Sequence, residues 1–256
     1  MKTKEEIVEN WLPRYTGLAL NEFGSHIVLT NFSHYLNLFC EWNNTEVKDP
    51  TANMPAATAG KITMINFGMG SPNAATIVDL LSAIHPEALL FLGKCGGLKR
   101  KNSLGDLILP IAAIRSDGTS SDYLPPEIPA LPAFNMQRAL SSAIRNNGRD
   151  YWTGTVYTTN RRVWEFDMRF RNYLTKTRAM AIDMETATIF VVGFANEIPC
   201  GALLLVTDQP MISEGVKTSE SDRMVTDQYV NDHLRIGLEA MHEIINNGES
   251  VKHLRF

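Results

Sequence analysis

The feature that most restricts the fold is an alternation, sustained along the chain, of short apolar strand-like runs and segments of helical spacing. The pattern predicts strands over 26–30, 62–67, 88–92, 106–114, 154–159 and 199–207, with a further short strand ending at Ile182. Helices are predicted from Ser33, with Tyr35, Leu36, Leu38, Phe39 and Trp42 at helical spacing, and from Ser71-Pro72 to about residue 84. Others are predicted over 134–145, 163–174, the apolar run after Glu185, and 222–246. Strands that alternate with helices predict a largely parallel sheet covered on both faces, which carries its function in the loops after the strands. The Pro-rich stretch 116–132 reads as a local excursion, because the alternation resumes after it. One domain over 1–256 is expected.

Composition removes several function classes. A net charge of −4 and a pI near 5.9 supply no global basic field, so a nucleic-acid polymer is not an expected partner. The N-terminus MKTKEEIVENW has no signal-peptide core, and the apolar runs are too short to span a bilayer. Cys40, Cys95 and Cys200 are odd in number and widely separated, as in a cytoplasmic protein with reduced thiols. No Cys or His spacing matches a metal site, and no cofactor is implied.

Four loops carry chemistry. Gly68–Ser71 resembles a dinucleotide fingerprint but has Asn73 where the third glycine belongs, so close backbone approach to a small ligand is the other reading. Gly93–Gly97 (GKCGG) is either a turn or a nest of N–H groups for an anion, with Lys94 adding charge. Asp183 to Glu185 places two carboxylates at a helix start, where they either cap the helix or face a ligand. Asp208 follows an apolar strand, where it is either a turn residue before Pro210 or a carboxyl of raised pKa.

Taken as an ordered set, Gly68–Ser71, GKCGG, Met184-Glu185 and Thr207-Asp208 resemble the purine nucleoside phosphorylase/nucleosidase superfamily. The segments LPRYTG, LTNF, GTVYTTNRRVWE, AIDMETATI, VTDQP and HLRIGLEAM look like its AMP nucleosidase branch, from about Trp11 to the terminal HLRF. Longer members carry an N-terminal regulatory domain, for which 256 residues leave no room. The resemblance implies a three-layer αβα fold around a central mixed, largely parallel twisted sheet. It also implies hydrolysis of AMP to adenine and ribose 5-phosphate. In that scheme Asp208 protonates purine N7, Glu185 accepts hydrogen bonds from the ribose hydroxyls, and Met184 packs on the sugar. Gly70, Gly96 and Thr159 are implied substrate contacts, and Arg223 is a candidate to orient Asp208.

Phosphorylases of the superfamily place an arginine where this chain has Phe91, and a Gly-Asp-Pro-x-Arg loop where it has Thr30 to His34. Both departures favour water as the nucleophile. His34 falls where relatives keep a phosphate arginine or a water-activating glutamate, and a helix-surface role is the alternative. The AMP 5′-phosphate needs cations or N–H donors, for which Lys94, Arg115, Arg161 and Arg162 are candidates. Trp164 or Tyr157 either stacks on adenine or belongs to the core. Related enzymes complete the 5′ end from a neighbouring subunit. That implies a homo-oligomer, a hexamer or another dimer-based assembly with sites near an interface, and makes Arg14 a further candidate.

Overall fold

A computed structural model describes residues 2–247; the HLRF end of the resemblance (253–256) lies outside them. Helix α1 (Lys4–Thr16) precedes β1 (His26–Thr30), α2 (Ser33–Asn43), β2 (Ala56–Ala59), β3 (Ile62–Asn66) and α3 (Ser71–Leu81). Then come β4 (Ala88–Gly97), β5 (Leu107–Ser116), α4 (Phe134–Asn146), β6 (Tyr151–Thr159) and α5 (Met168–Thr177). The chain continues through β7 (Ala181–Asp183), α6 (Thr186–Ala195), β8 (Cys200–Asp208) and α7 (Ser219–Asn247). The strands form one mixed sheet in the order β2-β3-β1-β4-β7-β6-β5-β8. Strand β4 also pairs with β8, so the last five strands close on themselves as a small barrel with β2, β3 and β1 extending from it. Parallel pairs join β1 to β3 and β4, β4 to β8, and β6 to β5 and β7; the remaining pairs are antiparallel.

Period-two alternation sorts side chains between two cores. On β1, Ile27 and Leu29 face the layer that contains α1, α3 and α6, and Val28 faces that of α2, α4 and α7. On β8, Ala202 and Leu204 face the first layer while Leu203 and Leu205 face the second. Because both faces are covered, these strands are apolar throughout rather than alternating with polar residues, as a parallel sheet requires. Among the described residues no helix is long and apolar enough to cross a membrane.

Three sequence expectations are corrected. GKCGG is the end of a ten-residue strand, not a loop, because β7 and β8 both pair with it. The predicted helix at 163–174 begins only at Met168: Asp167 caps it by accepting from the Arg169 and Phe170 N–H groups, while Trp164 turns into the core. Helix α1 and strand β2 are additional elements.

The second layer is tied together by a buried histidine. His233 on α7 donates from Nε2 to the Leu203 carbonyl at 3.0 Å and accepts at Nδ1 from the Tyr35 hydroxyl at 2.8 Å. Burial pushes the imidazole pKa down to about 3, so it is neutral and must be so arranged. Tyr35→Phe leaves the imidazole acceptor unpaired. We expect a loss of about 1–3 kcal/mol in denaturant unfolding; an unchanged midpoint would show that the bond carries no net stability.

Candidate active site

The carboxyl ends of β1, β4, β6, β7 and β8 and the loop after β3 converge on one cavity, as expected for an α/β sheet. Asn31, Met69, Lys94, Gly96, Thr159, Arg161, Arg162, Trp164, Met184, Glu185, Asp208 and Lys217 all contribute to its lining.

The two acids that open α6 have divided roles. Asp183 is the structural one. Its Oδ2 accepts from the Thr186 N–H at 2.8 Å and the Thr186 hydroxyl at 2.5 Å, and its Oδ1 accepts from Thr158 at 2.7 Å. It therefore caps the helix from inside the protein. Glu185 makes no capping bond. Instead, its Oε1 accepts from the Gly70 N–H at 2.7 Å and its Oε2 from the Met184 N–H at 3.2 Å. Gly70 has φ +93, where a side chain is strained, so the close approach of this backbone N–H suits glycine. Burial, and then the neighbouring Asp183, push the Glu185 pKa up. The Ser71 hydroxyl donates to the Met184 carbonyl at 2.7 Å and fixes the turn between the acids.

Asp208 owes its direction to a β-bulge. In the β4–β8 pairing Cys95 opposes Val206 and Gly96 opposes Asp208, which leaves Thr207 unpaired. The bulge breaks the alternation and lets Thr207 and Asp208 both line the cavity. Gly96 permits this: a Cβ there would lie 3.1 Å from Pro210 and 3.2 Å from Ile182. Burial pushes the Asp208 pKa up to about 6, and Lys217 is the main charge opposing that shift.

Cations also line the cavity. Lys94, with its side chain 6% exposed, pairs with Asp222 at 3.2 Å, donates to Thr226 at 2.9 Å and lies 4.6 Å from the Phe32 ring centre. Asp222 also holds Lys217 at 2.8 Å, so one carboxylate clamps a strand lysine and a loop lysine side by side. Burial acts to raise the Asp222 pKa, but the two lysines outweigh it and the net shift is downward. Arg161 pairs with Asp167 at 3.1 Å and Arg162 with Glu165 at 3.6 Å, both at the exposed mouth. Trp164 is buried and packs edge-to-face on Phe170, with centroids 5.4 Å apart.

Four expected residues lie elsewhere. Arg223 is 86% exposed on α7, next to Asp227 at 3.9 Å, so the fifteen-residue spacing does not bring it to Asp208. His34 is exposed on the first turn of α2 and does not line the cavity. Arg115 donates to Ser120 and to the carbonyls of Ser120, Leu124, Pro125 and Ile128; its guanidinium is occupied in folding the 116–128 excursion. Arg14 is exposed and outside the cavity. Sequence reasoning missed Asn31, Met69, Glu165 and Lys217. For Asn31 the signal was its place directly after a strand. Lys217 had none, since its loop has no pattern. Among the described residues no cluster of three His, Cys, Asp or Glu side chains is arranged to hold a metal ion.

Residues 25–244 match the phosphorylase superfamily, and the chain belongs to it. Within that class the chain is similar to an AMP nucleosidase of Bacteroides thetaiotaomicron. The two share 56% identity over 96% of this chain and 99% of the other, with a TM-score of 0.87. It is also 31% identical to the AMP nucleosidase of Escherichia coli K12, over 90% of this chain but only 57% of that relative's length. A uridine phosphorylase of Vibrio fischeri shares the fold at 21% identity, with a TM-score of 0.77 over 88% of this chain and 93% of the other.

The raised Asp208 pKa has a stability consequence. The folded chain bears a cost for ionising this carboxyl that is small below about pH 4, grows toward pH 6 and then stays constant. Asp208→Asn removes the ionisation. The side chain keeps some solvent contact, so we expect the variant to gain only about 1 kcal/mol relative to the parent between about pH 4.5 and about pH 7.5. Denaturant unfolding at the two pH values measures this, and a pH-independent difference would contradict the buried-acid assignment.

Proposed function

We propose that the protein hydrolyses the N-glycosidic bond of AMP, releasing adenine and ribose 5-phosphate. The observation that carries the reading is a pair of buried carboxyls of opposite roles on one cavity. Burial pushes the Asp208 pKa up to about 6, and Glu185, pinned by the Gly70 and Met184 N–H groups, is pushed up to about 8. The similarity to AMP nucleosidases supports AMP as the substrate.

In this reading Asp208 donates its proton to purine N7 as the C1′–N9 bond breaks, so that the base leaves neutral. Glu185 accepts hydrogen bonds from the ribose hydroxyls, and its negative charge favours the oxocarbenium-like sugar of the transition state. Met184 packs on the ribose, and the Gly70 and Gly96 backbone allow its close approach. The 5′-phosphate is met by Arg161, Arg162 and Lys217, with Lys94 behind them. Trp164 and Thr159 wall the base side. Phe91, wholly buried and apolar, offers nothing to a phosphate nucleophile, which supports water as the attacking group.

The reading extends to a homo-oligomeric, cytoplasmic enzyme. Exposed Val163, Phe166, Met168 and Tyr173, in and after the segment that carries the cavity-lining Arg162, Trp164 and Glu165, support a second copy there, and the free thiols Cys95 and Cys200 support a reducing compartment. Light scattering of the purified protein tests the first: a monomer at all concentrations contradicts it.

The deciding assay incubates the protein with AMP or adenosine, each with and without inorganic phosphate, and identifies the sugar. Ribose 5-phosphate from AMP without added phosphate is expected. Ribose 1-phosphate that forms only with phosphate would mark a phosphorylase, and no turnover would mark a binding protein. Asp208→Asn is expected to lower kcat by ~10²–10⁴-fold while AMP still binds. Glu185→Gln should lose discrimination between AMP and 2′-deoxy-AMP, and retained discrimination counts against the ribose contact.

A further inference from the structure

Four carboxyls line the cavity, those of Glu165, Asp183, Glu185 and Asp208. Asp183 caps α6, Glu185 is pinned by backbone N–H groups, and Asp208 is the acid on the bulge. Glu165 is the one without a role so far. It lies between β6 and α5, directly after Trp164 on the wall assigned above to the base. The chain is fixed there: the Glu165 carbonyl accepts from the Arg171 guanidinium at 3.3 Å, and the Asp167 N–H donates to the Trp164 carbonyl at 2.8 Å.

One carboxylate oxygen of Glu165 is spent and the other is open. Its Oε2 accepts from the Trp164 N–H at 2.9 Å, which sets the direction of the group. Its Oε1 has Arg162 at 3.6 Å, too far for a hydrogen bond, and accepts from no donor among the described residues. The buried side-chain oxygens that lack a partner are those of Thr30, Asn31 and Gln137, so Glu165 Oε1 is not shut away and solvent reaches it. The side chain is nonetheless only 16% exposed. An ionised carboxylate oxygen accepts and cannot donate, so this one calls for an N–H from whatever fills the cavity and opposes a carbonyl.

The base offers such an N–H on one edge. A 6-aminopurine presents the N7 acceptor and the amino donor side by side, whereas a 6-oxopurine presents two acceptors there. With Asp208 at N7, the group that reads position 6 stands next to it. Burial raises the Asp208 pKa, and the Glu165 charge acts in the same direction, as a neighbouring carboxylate does. We propose that Glu165 selects a 6-aminopurine: its Oε1 accepts a hydrogen bond from the exocyclic amine of adenine and opposes the 6-oxo group of hypoxanthine or guanine. This rests on the AMP-hydrolysis reading above and supplies the base specificity of that same site. Rejection is the stronger half, because a 6-oxopurine sets two acceptors against each other where the amine makes a bond. Arg162, which faces the same oxygen, stays with the base edge, and the 5′-phosphate relies on Arg161 and Lys217.

The test compares the parent, Glu165→Gln and Glu165→Ala with AMP, IMP and purine riboside 5′-monophosphate, which has only hydrogen at position 6. It measures kcat/KM for each nucleotide and, by calorimetry, the affinities of adenine and hypoxanthine. The parent is expected to prefer AMP to IMP by ~10²-fold or more. In Glu165→Gln the amide turns its amino end to a 6-oxo group. The AMP-to-IMP ratio then falls roughly 10–100-fold, while kcat/KM for the unsubstituted purine stays within about threefold of the parent. A merely structural role lowers all three substrates together and leaves the ratio unchanged. Circular dichroism shows whether each variant folds, and the alanine variant serves where the glutamine variant does not. A ratio within about twofold of the parent's, or a parent that cleaves IMP as fast as AMP, overturns the assignment while AMP hydrolysis stands. If the parent releases no ribose 5-phosphate from any nucleotide, the hydrolysis reading falls. A parental preference for adenine over hypoxanthine that Glu165→Gln loses still upholds the role of Glu165, and its absence overturns it.

Discussion

A buried carboxylate held by backbone N–H groups, inside a closed end of the sheet, is the constraint on which the rest of the site depends. Among the described residues no cation pairs with Glu185; Gly70 and Met184 donate to it from two different segments. That arrangement demands a glycine at positive φ on one side and a tight strand-to-helix turn on the other. It also demands that Asp183 take over the capping of α6, since Glu185 cannot point both ways. The helix is secured by one acid so that the next one is available to a ligand.

Charge is distributed around this carboxylate so that the cavity has two chemically different ends. Asp208 sits on a bulge with its proton favoured by burial, and Lys217 is close enough to moderate that preference. Asp222 holds Lys217 and Lys94 together, joining the loop before α7 to the sheet. A loop lysine anchored in this way brings positive charge to a wall that sequence spacing would have left bare. The same lysine thereby influences both the acid and any anion that enters.

What the sequence made legible was local. Strand β1 and the start of α2 followed from period-two and helical spacing within a few residues, and the segments Gly68–Ser71, Asp183–Glu185 and Thr207-Asp208 followed from their places at the ends of apolar runs. The 163–174 segment misled because Val163, Phe166 and Phe170 continue a helical pattern, although Asp167 is the residue that can cap. GKCGG misled because its glycines signal a turn, whereas here they let β7, Pro210 and the Asn102 side chain pack against a strand. Arg115 could not be distinguished from a ligand-binding arginine, since its carbonyl partners five to thirteen residues away are visible only once that loop is folded. Asn31 and Lys217 depend on contacts between segments far apart in the chain. No pattern within either segment encodes them.

The claim that a protonated Asp208 drives departure of the base is the centre of the account, and the purine itself offers the most direct test. The 7-deaza analogue of AMP keeps the sugar, the phosphate and the shape of the base but has carbon where N7 accepts the proton. The account predicts that it binds with an inhibition constant within about tenfold of the KM for AMP and is cleaved at least ~10²-fold more slowly. Cleavage of the analogue at a rate comparable to that of AMP would contradict it.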